Sequence, residues 1–353
     1  MNKAEPLSLT ILILHPGSLG DVLLALPTIR ALRAAFPTHE IGLVAASGVG
    51  SLLLAGKEID RLFPLEHRVL ADLMAGAAHA APALRSWLGR CALALGWLAD
   101  PDGALGSTLI ELGAGRVILR SPFSVACRAV HQADRLLETV ADLVAPGKYD
   151  GALNLPPALV AEGEAQMAAL RSGAPGPVVA IHPGSGARYK CAEPTLFAHL
   201  VEWCQAGGVI PMVVGGPADE ETAAAVAAGC RTRPAILQGR DLLTMVGVLA
   251  NAALFVGHDS GLTHLAATLH VPTLALFGPT AISRWAPRGR HVTVLTGDAC
   301  RCEGEAAVSS CRERPCLRVP LDRLTIACEP WVDQARHTRW ASASGGPSPC
   351  HVQ

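Results

Sequence analysis

Four short stretches set reactive side chains directly behind apolar runs. In ILILHPGSLGD, residues 11–21, Asp21 follows a turn containing Gly17, Ser18 and Gly20. A near-copy, IHPGSGARYK at 181–190, ends instead on two cations, Arg188 and Lys190, with Ser185 and Gly186 in its turn. VVGGPADEE places Asp219 and Glu220 just past a strand-like run. VGHDSGLTHLAA places Asp259, Ser260, Gly261 and Leu262 where a helix should open, with His264 in its first turn. A carboxylate beside an open glycine loop can take a proton from a bound hydroxyl, or can simply favour a helix start. A lysine beside a Gly/Ser loop can meet a phosphate, or stay a solvated surface charge. An acid just after a strand can meet a ribose hydroxyl, and free N–H groups at a helix start make an anion site. His15, His182 and Thr280 occupy equivalent turns. The first turn reads Gly-x-x-Gly, not G-x-G-x-x-G, and no Walker lysine follows, which argues against nicotinamide dehydrogenases and P-loop enzymes.

These loops need elements to hold them. Thr10–Leu14 predicts a strand, and LPTIRALRAAF predicts a helix with Ile29, Leu32 and Phe36 on one face and Arg30 and Arg33 off it. Pro37 stops that helix, and Pro27 begins it or kinks a longer one starting near Gly20. EIGLVA at 40–45 predicts a second strand. Residues 68–100, rich in Ala, Leu and Trp, carry helical spacing; GRVILRSP at 115–122 predicts a strand and QADRLLETVADLV at 132–144 a helix. Between Asn154 and Pro177 the chain turns to Pro, Gly and Ala, which predicts an interdomain connection. The same grammar then restarts: strands at PVVAIHPGSG, VIPMVVGGP, ALFVGHDSG and PTLALFGPT alternate with helices at PTLFAHLVEWCQAGG, DEETAAAVAAGC and LTHLAATLH. Strands apolar throughout, alternating with helices, imply parallel sheets covered on both faces, so two Rossmann-like α/β domains are expected. The expected boundaries are 1–172 and 173–340, with a disordered tail over 341–353.

A chain of 353 residues, half of them apolar, suits two domains. Charged residues make up 17% and the net charge is −1, which argues against nucleic-acid binding by bulk charge. The apolar start breaks at Pro16-Gly17 with no cleavage-like site, and no run reaches the ~18 apolar residues of a spanning helix, so a cytoplasmic location is expected. Eleven scattered cysteines are read as free thiols by default. Cys300, Cys302, Cys311 and Cys316 spell C-x-C-x8-C-x4-C, open to a structural zinc, a redox pair or plain thiols, and unlike the common C-x2-C knuckles. Arg284, Arg288 and Arg290 with Trp285 form either a basic patch or a solvated loop.

Taken together, HPGSLGDVLLALPTIRALRAAFP, IHPGSGARYK, VVGGPADEE, VGHDSGLTHLAA and TLALFGPTAISRWAP resemble, in order and approximate spacing, glycosyltransferase family 9, the ADP-heptose:lipopolysaccharide heptosyltransferases. The resemblance covers most of both halves and is weakest over 66–130, where acceptor specificity should lie. It implies the GT-B architecture, two Rossmann-like domains with parallel sheets facing a central cleft. It also implies inverting transfer of a heptose or related sugar from an ADP-sugar to a lipid-linked or oligosaccharide acceptor, with no metal or cofactor in the chemistry. By resemblance Asp21 is the general base, with Ser18 and Gly20 near the acceptor. Lys190 meets the donor phosphates with Ser185 and Gly186; Glu220 binds the ribose; Asp259 holds sugar hydroxyls; the amides of Ser260, Gly261 and Leu262, with His264 nearby, cap the diphosphate. Peripheral contact with the inner face of the cytoplasmic membrane follows, and the family often carries a Cys-rich loop near residue 300. Where the family commonly has K-x-W-P, this chain has KCAEP, and its GPTAIS lacks the usual Asp-Pro. The alternatives are another GT-B nucleotide-sugar enzyme, such as an epimerase-like hydrolase, and a non-catalytic sugar-nucleotide or glycan-binding paralogue.

Overall fold

The computed structural model describes residues 9–122, 130–147, 151–171, 174–302 and 304–343. The chain divides into two compact units, Met1–Pro156 and Pro157–Gln353. The first holds β1 (Thr10–Leu14), β2 (Glu40–Ala45), β3 (Arg61–Pro64), β4 (Cys91–Gly96) and β5 (Val117–Leu119) in one parallel sheet of order β3-β2-β1-β4-β5. Leu12 and Leu14 pack into a cluster with Phe63, Trp87, Leu88 and Leu109. Ile11 and Ile13, which the strand period sends to the opposite face, are equally buried. Both faces are therefore covered, as continuous apolar strands require.

The second unit repeats the plan with six parallel strands, β6 (Val178–His182), β7 (Ile210–Val214), β8 (Ala235–Leu237), β9 (Leu254–His258), β10 (Thr273–Phe277) and β11 (Val292–Thr296), ordered β11-β10-β9-β6-β7-β8. Val179 and Ile181 pack with Phe197, Leu200, Val201, Leu254 and Leu324. In each sheet the first strand sits centrally, and the chain winds outward from it in both directions. The gaps between β1 and β4, and between β6 and β9, are thus the topological switch points, where open parallel sheets bind ligands beyond the carboxyl ends of the strands. The two-sheet α/β fold is the expected one.

Two local expectations are corrected. CALALG, inside the stretch with helical spacing, is strand β4, registered against β1 from Thr10↔Cys91 to Leu14↔Gly96. Ala and Leu favour helix locally, but pairing beside the central strand and burial on both faces outweigh that preference. Helices precede it, at Val69–Met74 and Pro82–Leu88. The Pro/Gly-rich connection contains a 14-residue helix, Pro157–Leu170. It packs on helix Leu242–Leu249 so tightly that a Cβ on Gly163 would fall on the Gly247 backbone. This helix, within the expected first domain of 1–172, belongs to the second compact unit. Of the two readings of Pro27, the structure supports the first: it stands in the first turn of helix Leu26–Ala35, and a separate short helix, Leu19–Leu23, precedes it. Of the expected tail, 341–343 close the last helix, Leu321–Ala343, and 344–353 lie outside the described residues. Among the described residues no helix is long and apolar enough to cross a membrane.

Candidate active site

In the first unit the chain leaves β1 at His15 and enters helix Leu19–Leu23 within a few residues. Asp21 stands in the first turn of that helix, half-buried. The Ser18 N–H and hydroxyl both donate to its Oδ2, at 2.9 and 2.7 Å. Among the described residues Oδ1 accepts no hydrogen bond, so the carboxylate is held by one oxygen and offers the other. Gly17 makes room: a Cβ there would stand 2.7 Å from the Asp21 Cβ and 2.8 Å from the His15 ring. Ser18 is exposed, and Gly20 is buried in the helix with its carbonyl accepting from Leu24 N–H.

His15 is buried beside Trp97, ring centroids 5.2 Å apart, and Trp97 follows β4 across the switch point. The Gly17 N–H donates to His15 Nδ1 at 3.2 Å, so the ring proton sits on Nε2, which finds no partner among the described residues. Burial pushes the imidazole down to about 4, only partly offset by the Asp21 charge. A buried N–H donor without an acceptor, next to a half-free carboxylate, suits a ligand with hydroxyl oxygens.

The second unit gathers its polar turns at the β6/β9 switch point. Ser185, beyond β6, donates to the Asp259 carbonyl, beyond β9, at 2.7 Å. Lys190 Nζ, from the short turn Arg188–Lys190, donates to Asp259 Oδ2 at 2.9 Å. His264 Nε2 lies 4.0 Å from Asp259 Oδ1. Asp259 is only 9% exposed in its side chain and Lys190 25%, so the pair is tight yet reachable. Ser260 caps helix Gly261–Thr268 by accepting from Thr263 N–H. Among the described residues the N–H groups of Ser260, Gly261 and Leu262 meet no acceptor, and all three residues are half-buried. They form an electropositive helix start beside a lysine. Gly186 is exposed with open space around its Cα, which keeps the loop backbone approachable. Glu220 is the exposed first residue of helix Glu220–Ala228.

Beneath this loop lies a buried chain that the residue types alone do not specify. His182 Nδ1 bonds Ser260 Oγ at 3.1 Å, and its Nε2 bonds Asp219 Oδ2 at 3.1 Å. The Gly216 N–H also donates to Asp219 Oδ2, at 2.8 Å. Burial works to raise the Asp219 carboxyl, but the His182 hydrogen bond and charge, with the Gly216 amide, hold it below the usual carboxylate range. His258 accepts from Ala192 N–H through Nε2 at 2.9 Å and donates through Nδ1 to the Gly184 carbonyl at 3.2 Å. It is neutral, since burial pushes it down to about 4. In the KCAEP stretch Cys191 and Ala192 are buried, so small residues fill the space beside Lys190. Thr280 Oγ1, after β10, is buried without a partner among the described residues.

The structure thus brings Ser185, Lys190, Asp259, Ser260 and His264 together, with Gly261 and Leu262 opening the adjoining helix, and brings Ser18 to Asp21. The sequence singles out His15, His182 and Asp219 only as turn residues. It contains no sign of Trp97, because pairing β4 with β1 needs tertiary structure.

Comparison with known proteins follows the same outline. Residues 128–314 match the family described as glycosyltransferase family 9 (heptosyltransferase). Over 95 residues the chain is 41% identical to lipopolysaccharide heptosyltransferase 1 of Pseudomonas aeruginosa, a match spanning 27% of this chain and only 26% of that relative. Over 289 residues it is 24% identical to lipopolysaccharide heptosyltransferase 3 of Escherichia coli, spanning 76% of this chain and 83% of the relative. Among solved structures, the family 9 glycosyl transferase of Veillonella parvula superposes with a TM-score of 0.77 at 19% identity, covering 94% of this chain and 100% of the other. E. coli ADP-heptose lps heptosyltransferase II follows at 0.73 and 18%, covering 93% and 99%. E. coli heptosyltransferase WaaC, solved with ADP, gives 0.62 at 19%, covering 91% and 99%. Paired parallel sheets of the GT-B kind, and a family match that spans more than half of the chain, make this protein a member of glycosyltransferase family 9.

Proposed function

We propose that the protein is an inverting glycosyltransferase that moves a heptose or related sugar from an ADP-sugar to a lipopolysaccharide-core or similar glycan acceptor. The observation that carries this reading is the β6/β9 switch point, where Lys190 pairs with Asp259 directly before a helix start whose N–H groups at Ser260, Gly261 and Leu262 meet no acceptor among the described residues. The WaaC structure solved with ADP supports an adenine nucleotide as the donor's leaving half.

Asp21 acts as the base. Its Oδ2 is pinned by Ser18, so Oδ1 takes the proton of the acceptor hydroxyl as that oxygen attacks the anomeric carbon. Such proton removal is worth ~10²–10⁴ in rate. The bond from the anomeric carbon to the diphosphate oxygen breaks on the opposite face, and ADP leaves with an added negative charge. Lys190 and the amides of Ser260, Gly261 and Leu262 meet that charge, so the chemistry calls for no metal. Without donor, Asp259 satisfies Lys190; with donor, the ammonium swings to phosphate and frees the Asp259 carboxylate for sugar hydroxyls. Glu220, exposed at its helix start, binds the ribose, and Ser185 and Gly186 line the phosphate loop. The acceptor, met by Ser18 and Gly20, is lipid-linked or an oligosaccharide, and the protein works in the cytoplasm at the inner face of the membrane.

The test is a donor screen that follows nucleotide release from ADP-heptose, other ADP-sugars, UDP-sugars and GDP-sugars, with and without core-oligosaccharide acceptors. Acceptor-dependent ADP release is expected. Turnover with UDP-sugars alone would overturn the donor assignment, and tight ADP-sugar binding without transfer to any acceptor would favour the non-catalytic alternative.

A further inference from the structure

Four of the eleven cysteines meet in one corner of the second unit. The Sγ atoms of Cys300, Cys302 and Cys311 all lie within 4.8 Å of one another, with Cys300 and Cys302 at 3.0 Å. Cys316, buried in the short turn Pro315–Leu317, lines the same cavity as these three. All four are free thiols. The remaining described cysteines behave otherwise. Cys91, Cys204 and Cys328 are thiols packed in apolar core, and burial pushes Cys204 up to about 12. Those act as small hydrophobic side chains. The clustered thiols instead face a cavity of about 410 Å³, which Tyr189, Gly278, Asp298 and Arg314 help to line.

We propose that Cys300, Cys302, Cys311 and Cys316 together hold one zinc ion as a four-thiolate structural site. Thiolates at ~2.3 Å from a tetrahedral zinc stand roughly 3.8 Å apart, and the separations among Cys300, Cys302 and Cys311 bracket that spacing. An all-sulfur, four-coordinate set is soft and closed, with no open position for a substrate or water. Each thiol releases its proton to solvent on binding, which leaves a centre of net charge −2. Arg301, Arg312, Arg314 and Arg318 are interspersed with the cysteines along the chain, and Arg314 lines the same cavity.

The site has a mechanical consequence. Between β11 and the last helix the chain has little core of its own: a helix at Gly304–Ser310 and the turn Pro315–Leu317. Arg314 reaches from this segment to the turn that carries Lys190. Its Nη1 donates to the Cys191 carbonyl at 2.7 Å and the Arg188 carbonyl at 3.3 Å, and its Nη2 pairs with Glu193 at 2.6 Å. A metal that ties the cysteines together therefore fixes the base from which Arg314 staples the Lys190 turn. The effect on donor binding rests on the reading of Lys190 given above; the metal site does not.

The test begins with the whole protein, purified under reductant without a metal-binding tag. Elemental analysis should find about one zinc per chain. After chelation, Co²⁺ added anaerobically should give thiolate charge-transfer and tetrahedral d–d absorption at one equivalent. Cys302→Ser/Cys311→Ser should lose the metal, and Cys230→Ser, outside the cluster, should keep it. The absence of bound metal together with absent cobalt bands overturns the site, as does equal metal in the double variant or a Cys300–Cys302 disulfide in the isolated protein. One iron per chain overturns the zinc assignment. If the double variant fails to fold, the cobalt titration of the native sequence decides alone. Metal removal should also speed amide exchange about tenfold across 187–193. Unchanged exchange there overturns the stapling role, whatever the donor assay shows.

Discussion

The two His-Pro-Gly-Ser turns have the same residues, follow equivalent central strands and are wired differently. In the first, His15 closes on its own loop through the Gly17 N–H, and its other nitrogen, beside Asp21 and Trp97, meets no partner among the described residues. In the second, His182 spans three strand ends, joining Asp219 beyond β7 to Ser260 beyond β9. The first turn is local and leaves a carboxylate oxygen and an N–H donor open. The second is a cross-braced platform on which a lysine and a helix start are set. A short motif thus marks a strand-to-helix turn in a parallel sheet, while its neighbours decide whether the turn does proton chemistry or holds an anion.

The contrast is sharpest in the two charged residues that end the turns. Asp21→Asn keeps an acceptor for the Ser18 N–H but removes the base, so kcat should fall by ~10²–10⁴ with donor Kd unchanged. Steady-state kinetics and calorimetry with ADP-sugar check it; a tenfold change in donor affinity would mean that the two turns do not divide the work in this way. Stability against acid tests a buried histidine in each unit next. His15 and His258 are both held neutral, with pKa near 4 in the folded state against 6.5 in the unfolded one. The unfolded chain therefore takes up the proton first. Stability should fall as pH drops below about 6.5 and level off near 4, by about 3 kcal/mol per histidine. Amide exchange followed by peptide, β1 against β9, should show this slope in both units, and His15→Gln should flatten it in the first alone. Asp219 adds a later loss only as pH falls through its own lowered pKa, below the usual carboxylate range.

Lys190→Ala is expected to weaken donor binding ten- to a hundredfold, the loss of a charged hydrogen bond worth about 1.5–3 kcal/mol, with the kcat of saturated enzyme less affected than in Asp21→Asn. Donor titration decides; an unchanged Kd removes Lys190 from the diphosphate site. The glycines give the smallest effect. A Cβ on Gly184 would fall inside the buried Asp219 carboxylate, whereas one on Gly17 meets a half-exposed turn that can shift. Gly184→Ala should lower stability by about 1–3 kcal/mol, and Gly17→Ala by less, in urea unfolding of each variant. Equal losses would mean that the second turn is no more rigidly braced than the first.

Much of the fold is legible in the chain itself. β1, β6, β9 and β10 are apolar runs ending in Gly/Ser/Asp turns, and each is a fully buried parallel strand. Asp21, Lys190 and Asp259 stand out because charges that follow such runs must lie at strand ends. CALALG does not stand out, since its Ala/Leu composition suits a helix and only the β1 register makes it a strand. The helix Pro157–Leu170 is hidden for a related reason: its hold is the Gly163–Gly247 contact with a helix about eighty residues later in the chain.

By itself, then, the sequence determined the α/β class, the repeated strand-to-helix turns and the charge that ends each one, because hydrophobic period and turn chemistry are local properties. Tertiary structure alone decided what those turns are attached to. It paired Trp97 with His15, ran Asp219–His182–Ser260 beneath the second turn, placed Lys190 against Asp259 and brought together cysteines up to eleven residues apart. The physical reason is that strand order in a parallel sheet sets which strand ends become neighbours, and hydrogen bonds and thiol clusters form only between atoms that meet.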